Sequence, residues 1–345
     1  KQDISVKVLR IMFPYLALIS LVAFAGGIQN THQKFSIPAF TPVVFNLSLI
    51  IAAVFIAPKY EIEIFVLAWG VLLAGFVQLL IQIAPLRSIN RLPVPKLNFK
   101  NEGVKKFFIV IFPAILAGGI IQINLLIDTI FASLLETGSP TWLYVSDRLV
   151  QLPMGIFAIG IGTVLLPTLS KLDVISERKV FINTLQKGQR FVLFIGIPSL
   201  IGLMFCAEDI ISAIFYRGEF TQLDVFKSSY SLIAFSFGLP FFMLMKVLTP
   251  AFFAQKNTKT PMYVAILSLL LNAALNYILA FVYGFGHVGI AIGSSISALI
   301  SVFILEIILY KGGFIEIKSI FNRFNCMVLL SSTALIIFLY FYTSW

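Results

Sequence analysis

Residues 142–171 read WLYVSDRLVQLPMGIFAIGIGTVLLPTLSK. The stretch is apolar enough to cross a bilayer, yet it carries the adjacent pair Asp147–Arg148, then Gln151, before its two prolines. An arginine on a membrane-spanning helix costs about 2.5–3.5 kcal/mol by insertion scales. Such a residue normally faces a polar cavity or a partner. The alternative is an arginine that snorkels to the outer interface or is neutralised by Asp147. The first reading makes this helix the wall of a transport cavity in which Arg148 meets an anionic substrate.

The rest of the chain fits a membrane setting. It has 345 residues, 59% of them hydrophobic and 12% charged. A soluble domain of that size does not hide so much apolar surface, so the fold class is all-α and polytopic. A net charge of +10 would suggest nucleic acid in a soluble chain. Here it is explained by basic loops, and no nucleic-acid partner is expected. Cys206 and Cys326 stand singly, and His32 and His287 lie in short loops away from either, so neither a disulfide framework nor a zinc site is indicated. No signal peptide is evident, and the chain starts on Lys1 and enters an apolar segment almost at once. It therefore reads as a fragment.

Ten hydrophobic segments are long enough to span or nearly span about 30 Å of hydrocarbon. They run near 8–28, 40–57, 63–85, 107–134, 142–168, 190–206, 229–253, 261–282, 288–310 and 324–343. Of the 25 Lys and Arg, 17 fall in or at the edges of the loops after the first, third, fifth, seventh and ninth segments. Six fall on the opposite side, and Arg148 and Lys246 lie inside segments. The positive-inside rule places the first set in the cytoplasm and both chain ends outside. Within the basic loop 169–189, the run from Ser176 to Leu185 reads either as an amphipathic helix lying on the headgroups or as a solvated loop.

A repeat is visible. Pro14 is followed fifteen residues later by Gln29-Asn30, and Pro240 fifteen residues later by Gln255-Lys256, each opening a polar tip between apolar helices. The offset is 226 residues and suggests two similar halves, as transporters often have. Three segments precede the second copy and none the first. By symmetry about three helices are missing upstream.

Several motifs together resemble the MurJ/MviN lipid II flippase family of the MOP exporter superfamily. They are Leu9-Arg-Ile-Met-Phe-Pro-Tyr with Asn30, Phe35-Ser-Ile-Pro-Ala-Phe-Thr-Pro and Asn46; Ser146-Asp-Arg-Leu-Val-Gln-Leu-Pro with Gly162-Thr-Val-Leu-Leu-Pro-Thr-Leu-Ser; Tyr216-Arg-Gly-Glu-Phe-Thr; and Lys246-Val-Leu-Thr-Pro-Ala-Phe-Phe-Ala. The resemblance covers nearly the whole chain. It implies two six-helix lobes and a C-terminal pair, of which this chain would lack the first three helices and the last. Residues 1–86 would then be the second half of the N-lobe, 87–106 a basic cytoplasmic loop, 107–310 the C-lobe, and 311–345 a linker and one extra helix. It also implies a multi-pass protein of the bacterial inner membrane, monomeric, moving lipid II outward by alternating access. A cavity between the lobes would hold Arg148 against the lipid's pyrophosphate.

Arginine suits that ligand because its planar fork donates two parallel hydrogen bonds and stays ionised when partly buried. Arg148 lies roughly 9 Å inside its helix at 1.5 Å per residue. Gln151 follows Arg148 by three and Asp147 by four, so the three can share a face. The family often has an acidic residue where Gln151 stands, so a coupling role for a carboxylate there does not carry over. Lys246, mid-segment and four residues before Pro250, adds positive charge to the cavity or pairs with Asp128 or Asp147. Gly155, Gly160 and Gly162 with Pro153 and Pro167 permit a bend or a close approach of helices. Glu306, near Lys311, reads as an interface residue.

A second constellation starts at Asp128, four residues after Asn124. Asn272 and Asn276 share a face of one later segment, and Ser294 and Ser295 lie on the next. Carboxylate, amide and hydroxyl oxygens suit Na⁺ by the logic of hard cations, and the resemblance adds a backbone carbonyl near Ile290. A structural polar cluster and a protonation site are the other readings of the same residues. No phosphate loop, zinc spacing or nucleophile elbow appears, so no enzymatic activity and no organic cofactor is expected. Another exporter of the superfamily, for polysaccharide lipids or drugs, is the alternative function.

Overall fold

The structure is a computed structural model that describes residues 2–32, 34, 36–90, 119–120, 122–173, 176–315 and 323–343. Among them the chain is helical and has no strands. It divides into two compact units, Lys1–Asn101 and Glu102–Trp345.

In the first unit, α1 (Gln2–Met12) and α2 (Tyr15–Thr31) form one apolar rod interrupted at Phe13-Pro14. The ring of Pro14 supplies no N–H and crowds the preceding turn, which accounts for the interruption. Helix α3 (Ser36–Ile51) continues through a π-helical turn at Ala52–Ile56 and a short 3₁₀ turn at Ala57–Lys59. Helix α4 (Glu63–Ser88) is the spine, packing against α1, α2 and α3. It does so through small residues. A Cβ on Gly75 would lie 2.7 Å from the Tyr15 ring, and one on Gly70 2.9 Å from Ala52. Lipid offers no hydrophobic drive for helix association, so close backbone approach of this kind supplies the dispersion that does.

The second unit holds the helical residues 122–133, which we label α5, and then α6 (Ser139–Pro153), α7 (Gly160–Ser170), α8 (Arg178–Phe205) and α9 (Ala207–Phe215). After these come α10 (Gln222–Ala254), α11 (Lys259–Tyr277), α12 (Gly286–Lys311) and α13 (Arg323–Thr343). Its core is α10, packed by α6, α7, α8, α9 and α12, with Leu232, Leu239, Met243, Val247 and Leu248 fully buried. Pro250 has no N–H to offer the carbonyl of Lys246, four residues earlier. That carbonyl faces α7, where a Cβ on Gly162 would come within 2.9 Å of it. Between α6 and α7 the helix widens into a π-helical turn at Met154–Ile159, beside Pro153. Turns of this kind are frequent at functional sites.

Eight helices among the described residues are long and apolar enough to cross a membrane. The count of ten read from sequence is not reached. The first part of the segment near 107–134 lies outside the described residues, as does most of the loop read at 87–106. The apolar stretch of α13 is the shorter run Leu330–Phe341.

Two local expectations change. The run after Ser176 is not a separate surface helix, because α8 runs unbroken from Arg178 through the sixth segment. Phe181 and Leu185 are fully buried against protein, with Phe181 stacked edge-on to Phe314 at 5.5 Å. Arg178 donates to the carbonyls of Gly312 and Gly313 just past the end of α12. There its charge also opposes the negative end of that helix. His287 is not in a loop. It sits buried in the first turn of α12, 4.9 Å from the Trp142 ring, and shares a 2.6 Å hydrogen bond with Ser231.

Candidate functional site

The polar residues of the fifth segment are held by the first helix after Gly138, whose φ of +107° starts α6. Glycine takes that conformation without steric cost, and any Cβ there would meet the Trp142 ring at 2.6 Å. Helix α6 is then pinned from both sides. Ser146 is buried and donates to the carbonyls of Trp142 and Ser228, at 2.8 and 2.7 Å. Trp142 Nε1 donates to Asp224 Oδ1 at 2.7 Å, and Asp224 in turn closes a capping box with Thr221 at the start of α10. The register of Asp147, Arg148 and Gln151 follows from these fixed neighbours.

Gln151 stands between the two charges. Its Nε2 donates to Asp147 Oδ2, while its Oε1 accepts from Arg148 Nη1 at 3.4 Å. Arg148 is exposed, its guanidinium 4.8 Å from the centre of the Tyr144 ring. The ion pair between neighbours that would have cancelled Arg148 does not form. Among the described residues the salt bridge is Lys227–Glu136 at 2.8 Å. Lys246 is exposed and pairs with neither Asp128 nor Asp147.

The two constellations that the sequence separates meet in one cavity. A pocket of about 350 Å³ in the second unit is lined by Asn124, Asp147, Gln151, Lys246, Asn272 and Ser294, with apolar walls from α10, α11 and α12. Arg148 does not line it. Asp128 lies just behind, its Oδ1 accepting from Asn276 Nδ2 at 2.6 Å and its Oδ2 from Asn124 Nδ2 at 3.3 Å. Asn276 Nδ2 also donates to Asn272 Oδ1 at 2.9 Å, and Asn272 Nδ2 to Ser294 Oγ at 2.9 Å. Ile290 is buried one turn before Ser294, and Ser295 turns away to the carbonyl of Ala234 at 2.8 Å.

The donor set fits a hard cation. Asn276 is fully buried, and its Oδ1 has no hydrogen-bond partner, an unusual cost for a native interior. Turning that amide over would aim its oxygen at the Asp128 carboxylate and the Asn272 oxygen. Oxygens so placed need a cation or a proton on the carboxyl between them. The spacing leaves no slack, since a Cβ on Gly293 would collide with that oxygen. Among the described residues no three His, Cys, Asp or Glu cluster, so carboxylate, amide and hydroxyl oxygens are the ligands on offer.

Sequence reasoning missed two polar contacts. Glu306 is not a free interface group. It accepts a 2.6 Å hydrogen bond from Gln189 of α8. In the first unit Gln29, Thr41, Gln78 and Gln82 form a buried network on α2, α3 and α4. Uncharged amides on apolar helices lack the contrast that marks Arg148, although the i, i+4 spacing of Gln78 and Gln82 was a visible signal.

Eight helices of spanning length among the described residues, with polar side chains gathered inside the second unit, define a polytopic membrane protein. A family model described as lipid II flippase MurJ matches residues 1–345, and the chain belongs to that family. It is 43% identical over 312 residues to the probable lipid II flippase MurJ of Vibrio cholerae, covering 90% of this chain and 58% of that protein. It is 34% identical over 314 residues to the lipid II flippase MurJ of Burkholderia cenocepacia, covering 90% and 60%. A solved structure of lipid II flippase MurJ in an inward closed conformation superposes with a TM-score of 0.79 at 29% identity, over 98% of this chain and 73% of that one. The chain thus spans less than two thirds of the length of these two relatives.

Proposed function

We propose that this chain is the greater part of a flippase that carries lipid II from the inner to the outer leaflet of the bacterial inner membrane by alternating access. The observation that carries the reading is the state of Arg148. Its charge sits on a spanning helix, and Gln151 keeps Asp147 occupied, so the guanidinium remains available to an anion. The oxygens of a pyrophosphate match a planar two-donor fork. Family membership supports the choice of lipid II over a drug or another lipid-linked glycan. Asp147 and Gln151 orient the arginine, and Lys246 raises the positive potential of the neighbouring pocket.

Asp128, Asn272, Asn276 and Ser294, with the carbonyl of Ile290, would hold Na⁺. Bound there, the ion supplies a positive charge that ties α5, α11 and α12 together. A ligand shifts a conformational equilibrium only by its differential affinity for the two states. The protein acts as a single copy, and no residue is assigned a catalytic role.

Binding tests the anion site. Lipid II affinity of the full-length protein in nanodiscs is expected to fall by about a hundredfold in Arg148→Ala, since a charge-assisted bidentate contact is worth about 3 kcal/mol. Arg148→Lys recovers only part of it. Equal affinity in all three proteins would refute the assignment. For the cation site, Na⁺ is expected to raise the melting temperature of the wild type and not of Asp128→Ala. An unchanged Na⁺ response in that variant would remove the site.

A further inference from the structure

Two side-chain contacts reach from α5 to the outer end of α11. Asp128 Oδ1 accepts from Asn276 Nδ2 at 2.6 Å, and Phe131 meets Phe281 edge-on with ring centroids 5.8 Å apart. Asp128 and Phe131 stand three residues apart, a spacing that puts both on one face of a helix. The opposite face of α5 is exposed at Leu126 and Ile130.

The partners on α11 are spaced differently. Asn276 and Phe281 are five residues apart, and in an α-helix neighbours on one face stand three or four apart. What lies between them reconciles the two spacings. The helix widens into a π-helical turn over Ile278–Val282, where the N–H of Tyr283 donates to the carbonyl of Ile278 at 2.9 Å. Bonding to the fifth residue back, and not the fourth, lets one extra residue into the turn. That residue brings Phe281 round to the side of Asn276. The turn is also held from α12, because a Cβ on Gly289 would lie 2.7 Å from the backbone nitrogen of Ala280.

The repeat gives an independent reason to read this turn as a built feature. At the offset of 226 residues, Ile278–Val282 falls on Ala52–Ile56, the π-helical turn that follows α3. Phe281 falls on Phe55. In each unit a glycine of the next helix lies against the turn, Gly70 against Ala52 and Gly289 against Ala280. A rare helical geometry that recurs at one place in both copies, with the same aromatic residue in it, is not an accident of local sequence.

We infer that Phe281, carried on this π-helical turn, is a positioning residue for Asp128. Its contact with Phe131 holds α5 so that the Asp128 carboxylate stays beside Asn276 and Asn272. The hydrogen bond between Asp128 and Asn276 is given up when the amide turns its oxygen toward a cation. The two rings have no hydrogen bond to lose, so they keep α5 in place through that exchange. The inference rests on the proposed cation site for the purpose of this positioning.

The test uses the full-length protein in nanodiscs, with its native cysteines replaced by serine. Na⁺ affinity is read from the melting temperature across a Na⁺ titration. The separation of α5 and α12 is read between spin labels at Leu126→Cys and Phe303→Cys, both exposed positions. In Phe281→Ala the Na⁺ affinity is expected to fall about tenfold, the upper end of what an aromatic pair supplies, and the distance distribution to broaden. Phe131→Leu, which keeps apolar bulk and removes the other ring, should act in the same direction. Phe281→Tyr, which keeps the ring, should restore wild-type values on both readouts. Wild-type Na⁺ affinity in Phe281→Ala would overturn the inference even with broadened distances, because the contact would then be packing alone. An unchanged distance distribution in Phe281→Ala would overturn it as well. A wild type with no Na⁺ response would remove the cation site instead. The distances would then decide alone whether Phe281 positions Asp128, broadening supporting it and no change refuting it.

Discussion

At the scale of single residues, the question is what becomes of charges and carbonyls placed in hydrocarbon. Arg148 stacks on Tyr144 and donates to Gln151, which in turn donates to Asp147. Removing the amide should change that. In Gln151→Leu, Asp147 and Arg148 lose their spacer, and lipid II affinity should fall even though neither charge has been touched. A titration showing wild-type affinity would count against the spacer role. Gly162 supports a second prediction. Gly162→Val must push α7 off the Lys246 carbonyl, and overpacking of that kind costs about 1–3 kcal/mol. Thermal unfolding in detergent should report a lower midpoint, and an unchanged one would mean the contact is slack. The presence of Arg148 and Gly162 was legible in sequence because charge and glycine stand out on apolar helices. Their partners were not, since nothing local links Gly162 to Lys246 84 positions away.

At the scale of elements, spanning helices were readable because continuous apolar runs admit few other structures in a bilayer. Boundaries were harder. Basic residues between Arg178 and Arg190 look like the end of a span, yet the helix continues through them, since Phe181, Leu185 and Val192 keep one face buried. Charge on the opposite face obeys the orientation rule without breaking the helix. Phe181→Ala should therefore be costly, about 3–5 kcal/mol for a fully buried phenylalanine. A surface-lying segment would tolerate it, so a small change in denaturant midpoint would restore the discarded reading. His287 was misplaced for a related reason. Gly284 and Gly286 take positive φ as at a turn, yet Gly286 is already the first residue of the helix.

At the scale of the molecule, the internal repeat spans 226 residues and joins two separate units. It predicted two similar halves from a proline and a polar tip. The π-helical turns at Ala52–Ile56 and Ile278–Val282 fall on matching positions of that repeat. Recognition of the pyrophosphate by Arg148 is the central claim, and translocation tests it most directly. Outward movement of lipid II in cells dependent on the full-length protein should be abolished by Arg148→Ala and at most partly restored by Arg148→Lys, with both variants present in the membrane at wild-type levels. Normal translocation by both variants would contradict the account.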